Sequence, residues 1–398
     1  DPNNYVWYSG KLWRAVSVNN SVKTTKLVTQ WNISTIAYNE INSTAFEGSY
    51  MESWLNDTSV DGFLSNLREP ENFIVMDAKW NATVDDKELG SITRPSDDGT
   101  IVEDAVGLLN VYEYQSSNNG GTDGYLNNGL EWWTLTPNDF KANVVEVRPN
   151  GGINDIIKTY STGTRPSINL KSSVKIVNGD GTINNPYRLE EDYDTNLSGT
   201  LLKNRYSGEY IKFGTGENTL YRIVSHENGI GTKITSIEPL KDSGKLKRST
   251  FGDTVDYSST NIIGTFLNGE YLTNYIGNDY ANMIEDTTTW YLGTVGNGMS
   301  YKLAKYIDTT GNTLTSSTTS AKVGLLRYGE LMSGQFEISE NNTTYWLLTP
   351  SNSERSHYVS DDSFSGAFDV KNMAIGIKPS LNLKQNVVIT SGDGTKNN

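Results

Sequence analysis

The stretch RPSINLKSSVKIVNGDGTINN, at residues 165–185, decides the architecture because the chain repeats it. It returns as KPSLNLKQNVVITSGDGTKNN at residues 378–398, a shift of 213 positions (378 − 165). The segment EWWTLTP at residues 131–137 returns as TYWLLTP at residues 344–350 with the same shift. Two blocks that share one shift are hard to obtain by chance. The chain is therefore a tandem duplication.

Earlier segments of the two copies also match, with shifts that differ slightly, as differences in loop length would produce. LWRAVSVNN at residues 12–20 matches LYRIVSHEN at residues 220–228. VGLLNVYEY at residues 106–114 matches VGLLRYGEL at residues 323–331. The match between the copies is therefore not confined to their C-terminal segments.

The length of the repeat predicts the number of domains. A unit of about 200 residues is large enough to bury a core of its own. We therefore expect two domains, residues 1–190 and residues 191–398. The second copy stops at Asn398, where the first continues into PYRL. We expect the second domain to be shortened there relative to the first.

Composition excludes several classes of function. The chain has no cysteine, so it has no disulfide, no thiolate metal site and no cysteine nucleophile. Its net charge of −14 argues against binding nucleic acid by phosphate neutralisation. There is no long apolar run, so we expect no membrane insertion. Abundant Tyr and Thr favour strands, and the polar, cysteine-free composition is typical of extracellular modules.

The periodicity within each copy is mostly that of short strands between polar turns. Residues 5–18 predict a hairpin around the dipeptide Ser9-Gly10. Helical spacing covers residues 46–57, and a second short helix is expected at residues 60–67. Residues 105–112 look like a strand. The predicted fold class is α+β, with two short helices per copy against a mainly antiparallel sheet.

The ordered blocks also carry a family resemblance. NNYVWYSGKLWRAV is followed by a helix that ends in WLN, then by VGLL-x₃-E, EWWTLTP, GTRP and GDGTINNPYRL. This set resembles a domain of unknown function that recurs, often in tandem, in large surface proteins of Gram-positive bacteria. That family is similar to the C-type-lectin-like fold shared with formylglycine-generating enzymes.

The resemblance implies two tandem C-type-lectin-like modules at the cell surface or in the cell wall. It implies an adhesion role, with a host or cell-surface protein or glycan as the partner. Neighbouring repeats of the same parent chain would be further partners. It supplies no catalytic residues, and the cysteine chemistry of formylglycine-generating enzymes is excluded because the chain has no cysteine.

Enzymatic chemistry finds little support in the sequence. The two histidines, His226 and His357, align with Val18 and Val144 of the opposite copy, so neither serves a function that both copies share. Carboxylate pairs in this acidic chain leave a carbohydrate-active hydrolase as an alternative. The candidate pairs are Glu103 with Asp104 and Asp361 with Asp362.

The candidate ligand-binding residues lie in the tryptophan strands and in the loops that differ between the copies. Trp132 and Tyr345 each neighbour a second aromatic in a strand, so one ring of each pair must point away from the other. Packing under a loop is the favoured interpretation, and a platform for a sugar ring is the alternative. Tyr125, His357 and Asp361 complete the set of candidates.

The tetrapeptide GDGT, which occurs in both copies, is the candidate for a metal site. Asp180 and Asp393 could bind calcium through their carboxylates. However, Asp-Gly is also a plain turn signal, and GDGT lacks the ladder of oxygen ligands of a dedicated calcium loop. We expect a turn, with no cofactor and with calcium possible but unsupported.

These observations predict a non-enzymatic extracellular adhesion module that presents variable loops to a ligand. The loops that differ most are residues 115–131 and residues 351–366. A structural spacer of a cell-wall protein is the alternative within the non-catalytic class.

Overall fold

The computed structural model describes residues 2–39, 43–84, 93–117, 121–138, 142–227, 230–296, 317–330 and 344–398. The chain forms two compact units, Asp1–Tyr193 and Asp194–Asn398. Both are mixed α+β, with many short strands and few short helices. Within the described ranges, no helix is long and apolar enough to cross a membrane.

The first unit is built mainly from short strands. In chain order they are β1 (Tyr5–Tyr8), β2 (Lys11–Asn19), β3 (Thr24–Thr29), β4 (Ser34–Ala37), β5 (Ala78–Asn81), β6 (Ile101–Asp104), β7 (Val106–Gly107), β8 (Trp132–Asn138), β9 (Asn143–Val147), β10 (Ile153–Ile157), β11 (Ser161–Thr164), β12 (Ser167–Lys171), β13 (Ile176–Asn178) and β14 (Tyr187–Leu189). Its helices are α1 (Tyr50–Leu55), α2 (Pro70–Phe73) and α3 (Val111–Ser117), with a 3₁₀ turn at Leu64–Asn66.

These strands form two larger sheets and one hairpin. The first sheet has the order β13-β14-β1-β2-β3-β12-β7, and its pairs are antiparallel except for β1 with β14. The second has the order β10-β9-β8-β11-β4, with β8 and β11 parallel. Strands β5 and β6 form a separate antiparallel pair.

The second unit is also built mainly from short strands. In chain order they are β15 (Tyr210–Lys212), β16 (Leu220–Glu227), β17 (Gly231–Ser236), β18 (Lys241–Asp242), β19 (Lys245–Leu246), β20 (Arg248–Ser249), β21 (Thr288–Tyr291), β22 (Thr318–Ala321), β23 (Val323–Leu325), β24 (Tyr345–Pro350), β25 (Arg355–Val359), β26 (Ser365–Asp369), β27 (Ile375–Gly376) and β28 (Pro379–Leu383). Its helices are α4 (Ile262–Leu267) and α5 (Asn278–Ala281), with a 3₁₀ turn at Leu202–Asn204 and a π-helix at Tyr271–Ile276.

The strand order of the second unit repeats that of the first. One sheet runs β15-β16-β17-β28-β23, as β1-β2-β3-β12-β7 does. The other runs β26-β25-β24-β27-β20, as β10-β9-β8-β11-β4 does. The parallel pair β24 with β27 takes the place of β8 with β11. The repeated sequence blocks therefore occupy equivalent strands.

The hairpin predicted around Ser9-Gly10 is confirmed. Strands β1 and β2 pair in antiparallel register from Tyr8 with Lys11 to Tyr5 with Arg14. Ser9 and Gly10 both have positive φ angles, of 52° and 71°. A two-residue turn with positive φ at both positions matches the right-handed twist of the flanking strands.

Helix α1 is shorter than the predicted span of residues 46–57. Ser49 caps its start by accepting a hydrogen bond from the Glu52 N–H, and Asn56 caps its end after Leu55. The Asn56 amide then exchanges two hydrogen bonds of 3.0 Å with the backbone of Val106. In the second unit, Asn268 makes the same exchange with Val323. The asparagine that ends WLN at residues 54–56, and its counterpart in FLN at residues 266–268, therefore joins the helix to a strand.

The strand expected at residues 105–112 is wrong beyond Gly107, because helix α3 begins at Val111. The Asn110 side chain accepts a hydrogen bond from the Glu113 N–H, and the Glu113 carboxylate accepts one from the Asn110 N–H. This reciprocal arrangement has the form of a capping box. The helix expected at residues 60–67 is reduced to a 3₁₀ turn at Leu64–Asn66.

A glycine–tryptophan contact recurs in both cores. A Cβ on Gly107 would lie 2.3 Å from the Trp80 ring, and one on Gly324 would lie 2.7 Å from the Trp290 ring. Both tryptophans are fully buried. The glycines of the two VGLL segments are therefore required by close packing of an indole against the strand.

Candidate functional site

The aromatic pairs of β8 and β24 are buried on both sides. The Trp132 side chain has no exposed surface, and Tyr345 is 2% exposed. Trp132 packs edge-on against Tyr114 of α3, with ring centroids 5.3 Å apart, and the Arg165 guanidinium lies 4.9 Å from its ring. Lys378 takes the place of Arg165 over Tyr345. Neither ring offers a face to a ligand, because a helix or a cation covers it.

The remaining candidates in the second unit lie in different environments. His357 is buried, and its Nε2 lies 2.7 Å from the Val295 carbonyl oxygen. Burial lowers the pKa of His357, so this imidazole is neutral at pH 7. Asp361 is exposed in the turn after β25. The structure therefore does not bring His357 and Asp361 together on one surface.

The carboxylates of the two GDGT segments bond within their own turns. Asp180 accepts hydrogen bonds from the Thr182 backbone N–H at 3.0 Å and from its hydroxyl at 2.8 Å. Asp393 accepts the same pair from Thr395, at 2.9 and 2.6 Å. Across the described ranges, no group of three or more His, Asp or Glu side chains could hold a metal ion. These segments have the geometry of turns.

The carboxylates considered for hydrolysis point in different directions. Glu103 faces Lys79, with 3.6 Å between Oε1 and Nζ. Its neighbour Asp104 lies beside Glu52 of α1. Burial, then the charge of Glu52, raises the pKa of Asp104 to about 7. The carboxyl groups of Asp104 and Glu52 are close enough to share a hydrogen bond. The two carboxyl groups of a glycosidase are separated by about 5 Å or more.

A cleft of about 1050 Å³ lies in the first unit. Its walls come from the end of the β2–β3 hairpin, the start of β5, helix α3 and the segment that contains Tyr125, and Arg94 and, on β12, Asn169 complete the described lining. Tyr125 is thus the one sequence-predicted candidate that lines this cleft. The volume reaches the upper end of the usual range for small-molecule sites, about 300–1,000 Å³.

An ion pair lies among the residues that line the cleft. Lys26 Nζ is 2.5 Å from Glu113 Oε1, and the two side chains keep 15% and 20% of their surface exposed. The same ammonium lies 4.8 Å from the Trp80 ring. The second Glu113 oxygen accepts the Asn110 N–H of the helix cap. The helix cap therefore fixes the Glu113 carboxylate, and the Trp80 ring lies against the Lys26 ammonium. Both charged groups remain accessible from the cleft.

The second unit contains the same ion pair in a closed form. Lys233 Nζ lies 2.7 Å from Glu330 Oε1, and these side chains are only 1% and 5% exposed. Lys233 lies over the Trp290 ring, as Lys26 lies over Trp80. Arg327, which replaces Asn110, adds a second cation 2.9 Å from the same carboxylate oxygen. The two copies thus keep one framework but differ in how far the pair is open to solvent.

Two tyrosines line the cleft beside the ion pair. The Tyr125 hydroxyl donates to the Ala15 carbonyl oxygen at 3.2 Å, and its ring lies 5.0 Å from the Arg14 guanidinium. Its position is therefore fixed. Tyr112 on α3 is half-buried and lines the same cleft. The matching position in the second copy is Gly329, so this aromatic group belongs to the first unit alone.

The tip of the β2–β3 hairpin contributes apolar surface to the rim. Val18 and Val22 both line the cleft, and they are 65% and 64% exposed. Exposed valines are common singly, but two together at the mouth of a cleft favour a contact surface.

Comparisons of the chain with protein-family models, with curated proteins and with solved structures found no match.

Sequence reasoning missed the residues that line this cleft, apart from Tyr125. A signal was present, because Lys26 aligns with Lys233 and Glu113 aligns with Glu330. A charged residue kept in both copies at a position inside a mostly apolar segment predicts a partner. The partner could not be identified from spacing alone, because Lys26 and Glu113 are 87 positions apart.

Proposed function

We propose that this chain is a non-enzymatic extracellular surface protein that binds a ligand through the cleft of its first unit. The observation that carries the proposal is the accessible Lys26–Glu113 pair in a cleft of about 1050 Å³. The closed counterpart in the second unit indicates that the framework does not require the opening. Because the fold can form with this ion pair buried, the exposure of the pair in the first unit is a candidate for a functional feature.

The C-type-lectin-like assignment is part of this proposal. It is supported by the ordered sequence blocks and by the mixed α+β architecture that both units share. The divergent loops also support it, since Tyr125 of the variable segment 115–131 lines the cleft. The partner is a host or cell-surface protein or glycan, and the location is the cell surface or wall.

A non-catalytic role is supported by the state of the titratable groups. His226 and His357 each contact a backbone carbonyl oxygen, and burial lowers the pKa of both. The cleft contains neither of them. Binding is proposed to need no calcium, since Asp180 and Asp393 already accept hydrogen bonds from their own threonines.

The test is binding of the intact chain to arrays of glycans and extracellular-matrix proteins, with calcium and with a chelator. Ser116 is an exposed residue that lines the cleft, so Ser116→Trp fills the cleft without disturbing the core. Ser353 is also exposed and lies in the variable loop of the second unit, so Ser353→Trp is the control.

We expect binding that Ser116→Trp abolishes and that Ser353→Trp and the chelator leave intact. Loss with Ser353→Trp alone would move the site to the second unit. Blank arrays under both conditions would favour the spacer role instead. Release of sugars from arrayed glycans would favour the hydrolase.

A further inference from the structure

We infer that the cleft of the first unit binds an uncharged oligosaccharide, without calcium. This inference rests on the proposed function, because it names the ligand class of the same site. Three properties of the lining carry it: the pairing of its charges, the character of its polar groups and the position of its aromatic rings.

The charges of the lining are mostly compensated within the protein. Lys26 pairs with Glu113 at 2.5 Å, Lys79 with Glu103 at 3.6 Å, and Arg94 with Asp97 at 2.9 Å. Among the described residues of the lining, the one further charged residue is Asp77. The lining with its ion-pair partners therefore carries no excess of positive charge. A sulfated, phosphorylated or sialylated ligand would therefore meet no net positive charge among the described residues of the lining and their partners, and the chain as a whole carries −14.

The uncharged polar groups of the lining suit hydroxyl groups of a ligand. They are Ser17, Asn19, Asn20, Thr24, Ser116, Ser117 and Asn169. Serine and threonine hydroxyls both donate and accept, and asparagine amides present one acceptor and two donors. A sugar hydroxyl likewise donates and accepts. A lining of this kind therefore matches a ring that carries several hydroxyls.

The aromatic rings supply the apolar contact that such a ligand needs. Tyr112 lines the cleft from helix α3, and Tyr125 lines it from the variable segment. The face of a pyranose ring that carries C–H groups packs on an aromatic ring, as other apolar groups do. Tyr125 is held by its hydrogen bond to Ala15 and by Arg14, so little ordering is required when a ligand binds.

The volume and the rim indicate more than one sugar ring. A cleft of about 1050 Å³ exceeds what a single monosaccharide fills, since it is as large as the sites of drug-sized molecules. Val18 and Val22 extend apolar surface to the mouth of the cleft. A short chain that leaves the cleft over this rim fits both observations.

The experiment compares the intact chain with Tyr112→Ala on an array of uncharged and charged glycans and on an array of matrix proteins, in the presence of a chelator. Tyr160→Ala is the matched control, since Tyr160 is a 38% exposed tyrosine of the same unit outside the lining. Ser116→Trp serves as a second, cleft-filling variant. Thermal unfolding of every variant checks that it is folded.

We expect binding to uncharged oligosaccharides that weakens about tenfold in Tyr112→Ala and is unchanged in Tyr160→Ala. Cleft-dependent binding to charged glycans or to proteins alone would overturn the ligand class and leave the proposed function intact. Glycan binding that neither Tyr112→Ala nor Ser116→Trp affects would overturn the site. Blank arrays would overturn both the ligand class and the proposed function.

Discussion

The Lys26 ammonium lies 2.5 Å from the Glu113 carboxylate beside the cleft of the first unit. The two residues are 87 positions apart: Lys26 lies in β3, and Glu113 is held in the first turn of α3 by the helix cap with Asn110. The duplication provides an internal control for this pair, because Lys233 and Glu330 form the same contact without solvent access.

The two ion pairs are predicted to differ in their effect on stability. Glu330→Gln leaves the buried cations Lys233 and Arg327 without their carboxylate, and it should lower the free energy of unfolding by about 3–5 kcal/mol. Glu113→Gln removes a partly exposed partner, and it should cost about 1 kcal/mol. Urea unfolding of the two variants against the unmodified chain measures the difference. Equal losses of unfolding free energy in the two variants would contradict the prediction that burial of the ion pair sets the cost.

Stability is predicted to fall as the pH rises through the range in which Asp104 ionises. Folding raises the pKa of Asp104 to about 7, from about 3.9 in the unfolded chain. The folded state therefore binds more protons, and the stability that the protonated carboxyl contributes is complete below about pH 4 and lost by about pH 7.

Asp104→Asn tests this pH dependence. The variant should flatten the decline in urea midpoint between about pH 4 and pH 7. Glu103→Gln on the same strand is the control, because Glu103 is an exposed carboxylate in a surface ion pair. A decline that persists in Asp104→Asn would assign the effect to another group.

Removal of the asparagine that joins helix α1 to the VGLL segment should destabilise the first unit. Asn56→Ala loses two hydrogen bonds of 3.0 Å to Val106 and leaves backbone groups without partners, at a cost of about 2–3 kcal/mol. Asn72→Ala, on an exposed residue whose amide contacts Glu69, should cost less than about 0.5 kcal/mol. Thermal unfolding of both variants decides the point, and a smaller loss in Asn56→Ala than in Asn72→Ala would refute it.

Glycine at position 107 is predicted to be required by the Trp80 ring. Gly107→Ala would place a methyl group 2.3 Å from that ring, so the core must shift, at a cost of about 1–3 kcal/mol. Gly296→Ala is the control because nothing lies within 4 Å of the added carbon. An unchanged melting temperature in Gly107→Ala would show that the strand moves freely away from the indole.

The features that the sequence predicts best are those with local signals. The Ser9-Gly10 dipeptide predicts its hairpin because the turn geometry depends on two residues. The strand expected at residues 105–112 fails because the Asn110 and Glu113 side chains cap a helix inside an apolar run. That N-x-x-E signal is visible in the sequence and takes precedence over periodicity there.

The cleft could not be predicted, because its residues meet only in the folded unit. Tyr112, Lys26 and Tyr125 come from three separate segments. The sequence favours packing of Trp132 under the preceding loop, and the ring is buried, but Tyr114 packs against it from a helix that the periodicity does not predict. Alternation along a strand tells which side chains share a face, but not what covers that face.

Hydrogen–deuterium exchange of the intact chain, with and without a saturating mixture of uncharged oligosaccharides, would locate the binding site without any substitution. We predict slower exchange in residues 16–26 and 111–117 and no change in the equivalent described segments 224–227, 230–233 and 328–330. Protection confined to residues 351–366, or to the second unit as a whole, would contradict the assignment of the binding site to the first unit.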